Sequence, residues 1–263
     1  MSTCAELSGR RVVVTRPHCQ AKTLCDRLRA MGAVPIEFPV IAIAPPEVGG
    51  PLDRAITQLA SFDWIVFTSV NGVKHFWSRM GDKLPNSKSQ IPKVAAIGPA
   101  TAEALHRRGV KVNLMPTEYR AEAILDKIGD VSGQRILLPR ADIARPALAE
   151  GLQALGAHVE EVAAYHTIRG NPSPAAFDAL RAGVDVITFT SSSTVRYFVA
   201  LTAGLDYGDP VIACIGPVSA TTARESGLRV DVVAKKYTID GLLDALCNTP
   251  YTVHNTATPE GNQ

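Results

Sequence analysis

The sequence predicts an α/β protein made of two small, doubly wound parallel-sheet domains that arose by internal duplication. Three observations predict it. Short β-rich runs alternate with amphipathic stretches along the chain, the rhythm of parallel strands joined by crossover helices that cover both faces of a sheet. Glycines stand where those helices should stop. Whole phrases also recur in the same order. AAIGPATAEALHRRG at 95–109 is answered by ACIGPVSATTARESG at 213–227, and FDWIVFTSVNGVKHF at 62–76 by VDVITFTSSSTVRYF at 184–198. The two Thr-Ser pairs are 122 residues apart, and the two Gly-Pro pairs are 118 apart, as are Tyr119 and Tyr237. Leu24, Leu28, Met31 and Gly32 are echoed by Leu148, Leu152, Leu155 and Gly156 at a constant 124. The repeating unit of about 120 residues is the size of one domain.

In chain order, the first half reads as strand RVVVT (11–15), a helix with Leu24, Leu28 and Met31 on one face and Gly32 at its end, and strand VPIEF (34–38). Strand WIVFT (64–68) then runs through TSVNG into a helix. Strand KVAAI (93–97) runs through Gly-Pro into a helix ending at Gly109, and KVNLM (111–115) follows. The second half repeats this order: RILLP (135–139), a helix ending at Gly156, HVEEVA (158–163), DVITFT (185–190) with TSSST, VIACI (211–215) with Gly-Pro and a helix ending at Gly227, and RVDVV (229–233). Both Gly-Pro turns place Pro in the first helical turn, where its missing N–H would have had no partner. The polar tail from Tyr251 to Gln263 is expected to be disordered.

The 263 residues are 46% hydrophobic and 20% charged, with a formal charge of +2. That balance lacks the basic excess of a nucleic-acid binder. The start, MSTCAELSGRRVVVTRP, holds no apolar run of signal-peptide length, and no stretch reaches membrane-spanning length. Five cysteines without CxxC spacing (Cys4, Cys19, Cys25, Cys214, Cys247) read as reduced thiols of a cytosolic protein, with Cys214 buried.

The site is expected at the carboxyl ends of the strands. There the TSVNG and TSSST turns and the two Gly-Pro turns, with Thr101 and Ser219 just inside their helices, present hydroxyls and helix N-termini suited to anions. Each hydroxyl taken singly also reads as an ordinary helix cap. Two such edges facing each other would make a cleft for a large ligand with several negative groups. Phosphate loops, GxSxG and HExxH are absent, and the six histidines (His18, His75, His106, His158, His166, His254) show no metal-ligand pairing. Asp63 and Asp185 precede strands, at the opposite end. Such a protein either binds without reacting or acts on a substrate that is itself reactive and mainly needs to be held in shape.

VVVTRP, VFTSVNGV, AAIGPATAEAL, LPRADIARPALAEGL, VEEVAAYHT, FTSSSTVRYF, CIGPVSATTA and YTIDGLL, in this order over about residues 9–247, resemble the uroporphyrinogen-III synthase family. The resemblance implies two flavodoxin-like domains joined by a two-stranded connector near 37–43 and 162–169, leaving the domains free to open and close. It exchanges the first strand–helix units of the two halves. One domain is then 1–37 plus 168–250, and the other is 41–164. It implies cyclisation of hydroxymethylbilane, with loss of water and inversion of the last pyrrole ring, through an azafulvene cation and a spiro intermediate. No cofactor or metal is needed. A monomer is expected, with hydroxymethylbilane synthase as a candidate transient partner and neither nucleic acid nor membrane as partner. A two-lobed protein that binds a tetrapyrrole or other polyacid without turnover is the alternative.

The resemblance marks Tyr165 as the candidate proton donor to the leaving hydroxyl; a connector tyrosine that only packs is its structural alternative. Arg16 and Arg140 follow equivalent strands and suit substrate carboxylates. Thr68, Ser69, Asn71, Thr190, Ser191 and Ser193 lie in the two Thr-Ser turns, where family sites bind acid side chains largely through backbone amides. Thr101 and Ser219 complete the substrate-binding set. His166 neighbours Tyr165, but the family does not require a histidine there; Tyr119 and Tyr237 read as packing residues. Ser192 departs from a position the family often fills with Pro.

Overall fold

The structure, a computed structural model, describes residues 7–81, 92–118 and 122–248, with the Glu122 side chain left out. Tyr119 and the tail expected beyond Tyr251 lie outside the described residues. In chain order the elements are β1 (Arg11–Val14), α1 (His18–Ala30), β2 (Val34–Glu37), β3 (Ile41–Ala44), α2 (Pro51–Thr57), β4 (Trp64–Phe67), α3 (Val70–Met80), β5 (Lys93–Ala96), α4 (Pro99–His106) and α5 (Glu122–Leu125). They continue with β6 (Arg135–Ala141), α6 (Ala147–Ala154), β7 (His158–Arg169), α7 (Pro174–Arg181), β8 (Val186–Phe189), α8 (Ser192–Leu201), β9 (Val211–Cys214), α9 (Pro217–Glu225), β10 (Val232–Val233) and α10 (Ile239–Asn248). Among the described residues, no helix is long and apolar enough to cross a membrane.

The chain forms two compact units. Unit 1 takes the described residues of Met1–Ala42 and Ile168–Gln263, and unit 2 those of Ile43–Thr167. The unit 1 sheet runs β10-β9-β8-β1-β2, with each neighbouring pair parallel. The other runs β3-β7-β6-β4-β5, with β7, β6, β4 and β5 parallel and Leu114 adding a parallel bridge to Ala95 beyond β5. Counted from β1, the unit 1 order is 2-1-3-4-5; counted from β6, the run β7-β6-β4-β5 with the Leu114 bridge follows the same order, with β3 added outside β7, and both are doubly wound arrangements.

Two strands are shorter than their sequence runs suggest. KVNLM contributes only the Leu114 bridge, and RVDVV only Val232–Val233. Both are edge runs with a single neighbour, and in each a polar side chain takes over a backbone bond. Asn113 Oδ1 accepts from Val94 N at 2.9 Å, and Asp231 Oδ2 from Ile212 N at 2.8 Å. Asp63 and Asp185 do similar work at the other strand ends, accepting from Arg135 N at 2.9 Å and Arg11 N at 2.7 Å. The glycines expected to stop helices, Gly32, Gly109, Gly156 and Gly227, all have φ between 72° and 86°, where a side chain would be strained.

Each sheet is buried on both faces. In unit 1, Val12 and Val14 pack with α1 and α10 around Leu24, Leu28 and Leu242, while Val13 points to the opposite layer of Phe38, Phe189 and Phe198. In unit 2, Ile65 and Phe67 pack with Phe76 and Leu105, and Trp64 and Val66 with Ile136, Leu138 and Leu152. Both tryptophans belong to this unit. Trp64 lies beneath Lys93, and Trp77 packs against Phe67 and Phe76. Cys19, Cys25 and Cys214 are free thiols, but Cys247 is disulfide-bonded, which corrects the expectation that every cysteine is reduced. Spacing alone had offered no CxxC to signal it.

Unit 1 contains an unusually close backbone approach at Gly170. A Cβ at Gly170 would stand 2.0 Å from Pro39 O and 2.7 Å from Ile41 N, and Gly170 N donates to Val40 O at 2.8 Å. Neither backbone neighbour can yield without moving the strand. Gly170→Ala should therefore cost at least about 1–3 kcal/mol, read as a lower urea midpoint with an unchanged denaturant slope.

Candidate active site

Parallel order brings the carboxyl ends of each unit's strands to one edge, where the chain turns into helices. In unit 2, Thr68 and Ser69 follow β4. Ser69 is extended (φ −158°, ψ 154°) and caps α3, its Oγ accepting from Gly72 N at 3.1 Å. Residue 72 must be small, because a Cβ there would lie 2.8 Å from Pro139 O on β6. That absence lets the start of α3 settle against the strand beside β7.

β7 then slips by one residue against β6. Arg140 faces Ala163 and Ala141 faces Tyr165, so Ala164 is the extra residue of a bulge. The slip reverses the alternation: Val162 and Ala164 are buried before it, Tyr165 and Thr167 after it, and His166 turns outward. Tyr165 is 8% exposed. Its Oη lies 3.2 Å from Ser69 Oγ and also bonds the Asn71 side chain, and the His75 ring lies 5.7 Å from its own. Burial raises the phenol above its ordinary pKa of 10, outweighing the hydrogen bonds from Ser69 and Asn71. Burial, with the Lys74 charge, lowers His75. Both rings are neutral at pH 7.

Asp142 braces the segment from behind. Its backbone N donates to Tyr165 O at 3.2 Å, and its carboxylate accepts from Ile143 N and Thr167 N, each at 3.0 Å, and meets His166 Nδ1 at 2.9 Å. Burial works to raise this carboxyl, but those bonds outweigh it and hold the pKa below the usual value. Arg140 is 5% exposed; its guanidinium pairs with Glu161 and donates to Arg145 O at 2.9 Å, while Nε is buried without a partner. Thr68 is half-buried, and Thr101 is buried on α4.

In unit 1, Arg16 lies between β1 and α1. Its Nη2 donates to Gln20 Oε1 at 3.0 Å, Nε is buried without a partner, and burial lowers its pKa. Thr190 is half-buried. Ser191 caps α8 in a reciprocal box with Thr194, and its Oγ lies 2.9 Å from Ser193 Oγ. Ser192, at the position the family often fills with Pro, accepts from Thr222 Oγ1 at 2.8 Å and so joins α8 to α9. Ser219 is buried, donates to Gly216 O at 2.9 Å and bonds the Cys214 thiol, which burial pushes up to about 11. Tyr237 covers the same turn, since a Cβ at Gly216 would meet its ring at 3.0 Å.

The structure thus gathers Ser69, Asn71 and Tyr165 in unit 2, and Ser191 and Ser193 in unit 1. It turns Thr101 and Ser219 inward and engages Arg140 with Glu161. Asp142, His75 and Glu161 were not singled out from the sequence. Their roles depend on the bulge and on pairing between β6 and β7, which leave no local motif. Among the described residues, no group of three or more His, Cys, Asp or Glu side chains is placed to hold a metal ion.

These features define the class: a doubly wound α/β protein of two units, with hydroxyl-capped helix starts at the strand edges and a protonated phenol at one of them. A family model described as uroporphyrinogen-III synthase HemD matches residues 22–244. The uroporphyrinogen-III synthase of Synechococcus elongatus is 38% identical over 254 residues, covering 91% of this chain and 95% of the relative. A putative uroporphyrinogen-III synthase of Methanocaldococcus jannaschii is 29% identical, covering 90% of this chain and 97% of its own length. In fold, the chain is similar to a mutant uroporphyrinogen III synthase from Thermus thermophilus (TM-score 0.64, 20% identity, 90% of this chain and 96% of that one). It is also similar to a synthetase from Helicobacter pylori (TM-score 0.58, 17% identity, 90% and 97%). The chain belongs to the uroporphyrinogen-III synthase family.

The Arg140–Glu161 pair yields an unequal prediction. Removing Glu161, which is 41% exposed, strands a guanidinium that is only 6% exposed. Removing Arg140 lets the carboxylate return to water. Glu161→Ala should cost about 1–3 kcal/mol and Arg140→Met less than that, measured by urea unfolding.

Proposed function

We propose that this chain cyclises hydroxymethylbilane to uroporphyrinogen III, with loss of water and inversion of the last pyrrole ring, and that it needs no cofactor. Family membership supports the reaction. The observation that carries the site is Tyr165, a buried neutral phenol held at the strand edge by Ser69 and Asn71. A phenol in this state can protonate the departing hydroxyl, and pyrrole nitrogen supplies the electron push. What remains for the protein is to hold the chain so that the inverted ring junction closes first.

The substrate's carboxylates meet helix starts and hydroxyls in the Thr68–Asn71 and Thr190–Ser193 turns, and the guanidinium of Arg16. Thr101, Ser219 and Arg140 support the site from within rather than touching the ligand, a revision prompted by their burial and partners. The common strand order and the matching placement of Asp63 and Asp185 favour reading the two units as copies of one ancestor. β3 and β7 carry the chain between them, and we read these passages as the connector about which the units open and close. The protein acts as a monomer.

The deciding experiment is incubation with fresh hydroxymethylbilane and separation of the product isomers. Predominantly type III product is expected, and an isomer ratio equal to spontaneous closure would sink the proposal. Tyr165→Phe should lower turnover about ten- to a hundredfold while the product stays mostly type III, because shape rather than the acid selects the closing carbon. With the phenol's pKa raised above 10, proton donation should persist through neutral and mildly alkaline pH and fail only beyond 10, giving a flat alkaline side to the kcat profile. Arg16→Gln should raise KM about tenfold or more with little change in kcat.

A further inference from the structure

The bond between Ser69 and Tyr165 has a second end. Ser69 Oγ already accepts Gly72 N–H at 3.1 Å, at the start of the eleven-residue α3. That leaves the hydroxyl one lone pair and its own proton to share with Tyr165 Oη at 3.2 Å. If Ser69 accepts, the phenol's single proton points at Ser69 and is withheld from any ligand. If Ser69 donates, and the Asn71 amide N–H donates with it, as its lowering effect on the phenol's pKa requires, the phenol's proton is free to point elsewhere. The second arrangement gains strength as that proton leaves, because a phenolate can only accept. The bond becomes charge-assisted, and the positive end of α3 reinforces it through the Gly72 amide.

We infer that Ser69 is a positioning residue for proton transfer: its hydroxyl donates to Tyr165 Oη, aiming the phenol proton outward and stabilising the phenolate left behind. The inference rests on the proposed reaction. In that step the phenol O–H breaks and its proton joins the departing hydroxyl. The C–O electron pair leaves with the oxygen as water, and the pyrrole nitrogen lone pair forms the azafulvene cation. The proton lost from carbon when the closed ring rearomatises restores the phenol, so the cycle balances.

The rest of the chain shows that neither capping nor fold demands this contact. Ser191 caps α8 as Ser69 caps α3, yet its Oγ meets Ser193 and Thr194. The position 124 residues before Tyr165 is Ile41, which is 5% exposed. Among the described residues, the capping serine meets a tyrosine at the first Thr-Ser turn, whereas Ser191 at the second meets Ser193 and Thr194. The titratable groups nearest the phenol are neutral His75 on α3 and the Asp142 carboxylate after β6, which already works to raise its pKa.

Three variants separate the proton role from the capping role. Ser69→Ala should lower kcat about five- to thirtyfold and raise the pKa of Tyr165, read by near-ultraviolet difference titration against Tyr165→Phe. Ser69→Thr should restore both readouts. Ser69→Asp caps a helix as well as serine does, so its melting temperature should stay near wild type. Its kcat should nevertheless fall at least as far as that of Ser69→Ala, because a carboxylate has no proton to donate and repels a phenolate. Adding Ser69→Ala to Tyr165→Phe should lower kcat by much less than Ser69→Ala does alone, because the phenol it serves is already gone. Wild-type kcat in Ser69→Ala, retained activity in Ser69→Asp, or an unmoved Tyr165 pKa would each overturn the inference. If Tyr165→Phe is impaired while Ser69→Ala is not, only the Ser69 role fails; if Tyr165→Phe itself keeps wild-type turnover, the proton-donor reading fails first.

Discussion

Tyr165 owes its burial to one extra residue. Were Ala164 paired as an ordinary strand residue instead of bulged, the alternation along β7 would continue, and the tyrosine would share a face with Glu161 and Ala163 instead of Val162. The phenol would lose Ser69, and the desolvation that raises its pKa would go with it. Other features of this edge serve the same placement. Gly72 lets α3 approach β6, and Asp142 ties down the backbone just after the bulge, at Tyr165 and Thr167. Arg140, at the residue where the register changes, is locked to Glu161 on the neighbouring strand.

The two arginines that follow equivalent strands illustrate how like positions acquire unlike roles. Arg140 is neutralised by Glu161 and braced by a carbonyl. Arg16 is partly buried but leans on an amide oxygen, which leaves its positive charge uncompensated by any carboxylate among the described residues. A buried cation without an anion is costly unless a ligand supplies one. The same divergence separates the two capping serines: one is absorbed into its own helix, and the other reaches a phenol. The two units thus resemble each other in their mechanical parts and differ in their chemical ones.

The mechanical parts were legible in the sequence because they are local. Gly-Pro at a strand end, Gly at a helix end and Thr-Ser before a helix each act within a few residues, and their repetition made the reading firmer. The short edge strands were misjudged, because β-propensity in KVNLM and RVDVV says nothing about how many neighbours a strand has. The site was legible as a set of positions but not as an arrangement. Whether Thr101, Ser219 and Arg140 face a ligand or the interior depends on tertiary partners such as Gly216, Cys214 and Glu161. A bulge leaves no mark in composition or period, so Tyr165 could be named from family resemblance while the reason for its burial could not.

Both tryptophans, Trp64 and Trp77, lie in unit 2. Indole emission is therefore blind to half of the protein. A denaturation curve followed by fluorescence tracks only the unit that carries Tyr165, whereas far-ultraviolet circular dichroism sums the helices of both. Any gap between the two curves measures how independently the halves melt, with no label attached and no residue changed.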